Sequence, residues 1–97
     1  PTTMSKFRKK PIVIEAVQIK KGMGLTAPEW FPDAVLSGEL IPHGMGAITR
    51  DMPWVEVSTL EGVMRGNAGD WIIRGVKGEL YPCKNDIFEA TYERVSE

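Results

Sequence analysis

Residues 54–83 read WVEVSTLEGVMRGNAGDWIIRGVKGELYPC. Short runs of β-branched and aromatic residues alternate here with glycine-containing turns, a pattern typical of antiparallel strands joined by tight connections. Gly69 and Gly78 fall in two of these turns, where hairpin connections commonly require positive φ. The pattern predicts a meander with strands at 54–59, 63–65, 71–74 and 79–81.

Upstream of this region, residues 12–19 predict a further strand. Apolar residues occur on both of its faces, so we expect a central strand that is covered on two sides. The run Thr26-Ala-Pro-Glu29 has the form of a capping box with proline in the first turn, which predicts a helix over 27–37. Leu40-Ile41 then predicts a short strand.

Downstream of the meander, we expect Pro82 to end the last strand and Asp86 to cap one helical turn at 87–89. The chain is then expected to extend again through 91–95. Together these segments predict an α+β fold with one main helix at 27–37 and a short C-terminal helical turn. The strands of 46–82 are expected to form a small curved antiparallel sheet or open barrel.

The composition is that of a globular protein without a strong overall charge. The chain has 97 residues, 42% of them hydrophobic, and a net charge of −1 from 12 Lys+Arg and 13 Asp+Glu. Residues 1–6 predict a flexible tail and 7–97 a single globular domain. A balanced charge gives no field that attracts nucleic acid or an anionic membrane, so neither is an expected partner.

One basic cluster stands out near the N-terminus, and we interpret it as a solvated arm, with phosphate binding as the alternative. It consists of Lys6, Arg8, Lys9 and Lys10. No apolar run approaches the roughly 20 residues of a membrane-spanning helix. The single cysteine, Cys83, cannot form an internal disulfide, so a reducing, cytoplasmic compartment is expected.

Metal and catalytic motifs are absent from the sequence. One His and one Cys could fill at most two of the four positions of a zinc site with nitrogen and sulfur ligands. His43 could in principle activate the Cys83 thiol, but a glycine-rich loop would hold its ring poorly. Phosphate-binding loops and nucleophile elbows do not occur. We therefore predict no enzyme, no metal and no cofactor.

The hairpin over 71–84 concentrates aromatic rings and cations. If they converge, they can stack a planar ring and hold an anion, which would make the chain a binder of a small, nucleotide-like anion. The alternative is that the rings are packed and the cations are solvated edge charges. The candidate binding residues are Trp71, Arg74, Lys77, Tyr81 and Lys84.

Several long strings resemble a widespread group of small phage and prophage proteins. They are FRKKPIVIEAVQ at 7–18, TLEG at 59–62, GDWIIRGVKGE at 69–79, YPCK at 81–84 and DIFEATYE at 86–93. Asn85 stands where that group is expected to have proline. The run AGDW at 68–71 is more weakly similar to the motif of the PGDYG family.

The resemblance implies a phage or prophage origin and a site of action in the cytoplasm of an infected bacterium. It brings no catalytic residues and no residue roles. The function expected from it is that of a phage accessory binding protein, whose partner is a host or phage protein, for example a host defence component.

Overall fold

The computed structural model describes residues 5–7, 10–20, 27–44 and 53–95, and it has the predicted α+β class. The strands and helices alternate only in the first part of the chain. In chain order the elements are β1 (Glu15–Gln18), α1 (Trp30–Ser37), β2 (Leu40–His43), β3 (Trp54–Thr59), β4 (Gly62–Asn67), β5 (Trp71–Arg74), β6 (Leu80–Cys83) and α2 (Asn85–Thr91).

The strands form two three-stranded antiparallel sheets. Sheet A has the order β1-β5-β6 and sheet B the order β2-β3-β4, so the predicted hairpins β3-β4 and β5-β6 are confirmed. The meander is interrupted between β4 and β5, which follow each other but do not pair. The backbone of the connecting turn is bonded to the residue that directly follows β1 instead: Ile19 N–H donates to Asp70 O and Gly69 N–H donates to Ile19 O, both at 2.8 Å.

The turn glycines have the predicted conformation. Gly69 and Gly78 lie at φ 93° and 81°. L residues with a side chain rarely adopt this region, which explains why glycine stands at both positions.

The core lies between the sheets and is closed by α1. Alternation along β3 buries Val55 and Val57 and turns Trp54 and Glu56 outward. Each sheet contributes one apolar face, and two residues of the helix complete the layer. The cluster comprises Ile19, Phe31, Ala34, Leu40, Val55, Val57, Ile72 and Leu80.

Gly66 in β4 is closely packed against residues of sheet A and its flank. A Cβ atom at this position would lie 2.7 Å from Ile19 Cδ1 and 3.5 Å from Pro82 Cβ. The first distance is too short for a carbon contact, so the absence of a side chain at Gly66 sets how closely the sheets can pack.

The prediction of a central strand at 12–19 is wrong in two respects. β1 starts only at Glu15, because its partner β5 ends at Arg74, directly opposite. β1 is also an edge strand of sheet A. As a result, Ile12 and Val13 are 48% and 73% exposed, although their apolar character suggested cover on both faces.

Helix α1 starts three residues later than predicted. Its N-cap is Glu29, which makes no side-chain capping bond, and Thr26 of the predicted capping box lies outside the described residues. The stop is confirmed, since Gly38 adopts φ 83° and donates its N–H to Val35 O.

The C-terminal region also differs from the prediction. Pro82 lies within β6, and α2 spans Asn85–Thr91 with Lys84 as its N-cap, so Asp86 occupies the first turn and is not the cap. Residues 92–95 form no strand. Proline is tolerated in β6 because this is an edge strand and the Pro82 nitrogen faces away from β5.

Candidate functional site

The structure divides the candidate binding residues of the 71–84 hairpin between two faces of sheet A. The register pairs Trp71 with Cys83 and Ile73 with Tyr81, so Trp71 and Tyr81 share the face that α2 covers. Arg74 pairs with Leu80 and lies on the opposite face. The hairpin therefore does not bring Trp71, Arg74 and Tyr81 into one pocket.

Trp71 is engaged by α2. Its ring stacks on Phe88 with a centroid distance of 4.1 Å and an interplanar angle of 8°, and Phe88 in turn lies 5.1 Å from Tyr92. The indole Nε1–H donates to Asn85 Oδ1 at 2.9 Å. Asn85 thus fixes the orientation of the Trp71 ring, a role that was not predicted from the sequence. The one sequence feature that pointed to Asn85 was its occurrence where proline was expected.

Tyr81 is half-buried next to the C-terminal region. Burial, and next a hydrogen bond with the Tyr92 side chain, raise the pKa of Tyr81 to about 12. The phenol is therefore neutral at physiological pH and can act as a hydrogen-bonding group, but not as an anion or a base.

Two of the three candidate cations face carboxylates of the same chain. Arg74 Nη1 lies 3.6 Å from Glu15 Oε1, and Lys84 Nζ lies 3.8 Å from Asp70 Oδ2. The Lys77 side chain is exposed. Because the first two charges are already compensated, the hairpin offers little excess positive charge, and its role as an anion site stays a prediction.

His43 and Cys83 lie on opposite outer surfaces. His43 ends β2 in sheet B and stacks on Trp54 at 3.9 Å, whereas Cys83 is on the α2 face of sheet A. The core layer separates the two residues, so the His43 imidazole cannot act as a base toward the Cys83 thiol. Burial, and then the negative charges of Asp70 and Asp86, raise the pKa of Cys83.

We therefore expect Cys83→Ser to be functionally silent and to change the free energy of unfolding by less than about 1 kcal/mol. Because the thiolate is the reactive form, labelling of Cys83 by a disulfide reagent should be slower at pH 7 than labelling of glutathione. The rate should continue to rise through pH 9. Fast labelling at pH 7, together with loss of binding in the serine variant, would contradict this prediction.

A second aromatic cluster, also missed from the sequence, occupies the outer face of sheet B. Arg65 Cζ lies 3.9 Å from the Trp54 ring centroid, and His43 stacks on the same ring. Since β4 and β2 flank β3, the two side chains cover both faces of the indole. His43 Nε2 lies 3.3 Å from Glu56 Oε1 but makes no hydrogen bond among the described residues. The cluster thus leaves no ring face for a ligand.

Two of the four sheet edges are blocked by proline. In β2, Ser58 N–H donates to Glu39 O, and the alternation of antiparallel bonds then turns the Pro42 nitrogen outward. In β6, Gly75 N–H donates to Glu79 O, which turns the Pro82 nitrogen outward in the same way. Neither position can donate a hydrogen bond to an added strand.

The edge of β4 is partly closed by a side chain. Asn67 N–H donates to Asp70 Oδ2 at 3.0 Å, and Asn67 O accepts from Asp70 N–H at 2.9 Å. Only Val63 and Arg65 keep outward backbone groups on this strand.

β1 is the one edge strand among the described residues that neither a proline nor a side-chain hydrogen bond to its outward backbone limits. Because Ile19 N–H bonds to Asp70 O, the alternation of antiparallel hydrogen bonds directs the backbone groups of the odd-numbered residues of β1 toward β5. The backbone groups of Ala16 and Gln18 point away from the sheet. Continued upstream, the same alternation places Ile14 and Ile12 on the outer side and Pro11 on the inner side. We call the outer side of 12–18 the open edge.

A groove runs beside the open edge on the α2 side of sheet A, between 12–16 and 92–95. Its volume is about 360 Å³, and Trp71 and Phe88 contribute to its floor. Apolar residues dominate its walls, and several are exposed: Val13 by 73% and Val95 by 61%. The open edge is thus flanked by a concave surface that combines apolar side chains with the charged residues Glu15, Glu93 and Arg94.

No family model, curated protein or solved structure matches this chain significantly. Within the described ranges, no helix is long and apolar enough to cross a membrane. Nor do three or more His, Cys, Asp or Glu side chains come together there as a group that could hold a metal ion.

Proposed function

We propose that this chain is a protein-binding module that takes up an extended segment of another protein along the open edge of β1. The phage or prophage setting implied by the sequence resemblance makes a host protein, such as a defence component, the expected partner. The observation that carries the proposal is the contrast between β1 and the other edges. Prolines limit pairing at two of them and Asp70 occupies one end of the third, whereas the edge of β1 has neither and leads upstream into the exposed residues Ile12 and Val13.

Natural proteins commonly block exposed strand edges, because an unpaired edge recruits further strands. Addition of a strand uses backbone hydrogen bonds for affinity and pockets for alternate side chains for specificity. The open edge supplies the backbone groups of Ala16 and Gln18, and the adjacent groove supplies an apolar surface. A partner strand would pair with these two residues and extend over Ile14.

The test removes one outward N–H without touching the β1-β5 ladder. We expect Ala16→Pro to reduce capture of partner proteins from bacterial lysate at least tenfold, whereas Ala16→Val, which keeps the N–H, retains it. Ile14→Pro serves as a second variant, since residue 14 precedes β1. Amide exchange at Ala16 and Gln18 should slow when the captured protein is added. Unchanged capture by both folded proline variants would overturn the proposal.

A further inference from the structure

The charges at the two ends of the open edge favour one kind of partner segment. Lys10 and Lys20 are both exposed, and they bracket the stretch that carries the outward backbone groups. In an extended chain they would lie roughly 33 Å apart, the length of a strand of about ten residues. Both have the even parity of Ala16 and Gln18, so in a strand continued in both directions their side chains would lie on the α2 face of sheet A, the face that the groove occupies.

The carboxylate of Glu15, within this stretch, is already matched by other groups. It accepts a hydrogen bond from Trp30 Nε1 at 3.0 Å and faces Arg74. Glu93 and Arg94, of opposite charge, both line the far wall of the groove. Within the described residues Lys10 and Lys20 make no ion pair, so a bound strand would meet their charges.

The same charges disfavour a second copy of this chain as the occupant. In an antiparallel self-pairing centred on Glu15, which would join the outward groups of Ile14 and Ala16, Lys10 would stand opposite Lys20. Like charges that are directly opposite across two strands are destabilising. This self-complementary register is therefore disfavoured.

We infer that the occupant of the open edge is an extended segment of a different protein, with acidic residues at both ends and apolar residues at alternate positions between them. This inference rests on the proposed function. The terminal carboxylates would meet Lys10 and Lys20, and the apolar side chains on one face of the added strand would enter the groove beside Ile14, Phe88 and Val95.

The test uses two blocked peptides of about eleven residues, whose end residues would lie roughly 33 Å apart at ~3.3 Å per residue and so stand opposite Lys10 and Lys20. Both alternate valine and threonine; one has glutamate at each end and the other has lysine. We expect the glutamate peptide to bind the full chain at least ten times more tightly at low salt. This advantage should shrink in 1 M salt, where the screening length is about 3 Å.

The double variant Lys10→Glu/Lys20→Glu should reverse the preference, with unchanged melting temperature as the control for folding. Equal binding of both peptides to the wild type, lost in Ala16→Pro, would overturn the charge inference and leave the proposed function standing. If neither peptide protects the amides of Ala16 and Gln18 at millimolar concentration, both the inference and the proposed function fail.

Discussion

Gly66→Ala should lower the free energy of unfolding by about 1–3 kcal/mol, the usual cost of overfilling a packed core. The new Cβ would lie 2.7 Å from Ile19 Cδ1, and because Ile19 is fully buried, its terminal methyl group must shift within the packed core and not toward solvent. For a domain of this size the melting temperature should fall by roughly 4–8 °C per kcal/mol. Val63→Ile on the same strand, at a side chain that is 70% exposed, is the control that should melt like the wild type.

A double-mutant cycle identifies the contact responsible. Ile19→Val removes the Cδ1 atom and by itself should cost about 0.5–1.5 kcal/mol. In that background Gly66→Ala should cost about 1 kcal/mol less than in the wild type, because the clash is gone. Strictly additive effects would mean that the sheets do not meet at Gly66 as described.

Local patterns in the sequence were sufficient to predict the hairpins and their turns. The alternation of 54–59 and the glycine at 78 specify short-range pairing, which depends on a few neighbouring residues, whereas the turn at Gly69 joins two strands that do not pair. The division into two sheets could not be predicted in this way. It depends on the backbone hydrogen bonds that Ile19, directly after β1, forms with Asp70 and Gly69. These residues are about fifty positions apart in the sequence.

The candidate site illustrates the same limit. Trp71, Arg74 and Tyr81 are close in sequence, yet strand alternation places Arg74 on the other face, and α2 covers the Trp71 ring. The open edge could not be predicted from the sequence for a different reason. Apolar residues at 12–14 resemble a buried strand, and only the end of β5 at Arg74 shows that they lack a partner within the described sheets.

Trp71→Ala should release α2 from sheet A while the remainder of the fold persists. None of the residues of α2 is buried, so the helix depends on the Phe88 stack and on the Asn85 hydrogen bond. An aromatic pair contributes about 0.5–1.5 kcal/mol beyond its buried area, and a hydrogen bond about as much. With the apolar area lost as well, we expect a local cost of about 2–4 kcal/mol.

Amide hydrogen exchange distinguishes this local release from global unfolding. Protection in 85–92 should fall roughly thirty- to a thousand-fold, the factor that corresponds to about 2–4 kcal/mol, while Val55 and Val57 in β3 change far less. Trp71→Phe keeps a ring for Phe88 but loses the indole N–H, so it should fall between the alanine variant and the wild type. Because Phe88 also lines the groove beside the open edge, release of α2 should weaken partner binding too. Equal loss of protection in α2 and β3 would show instead that Trp71 supports the whole fold.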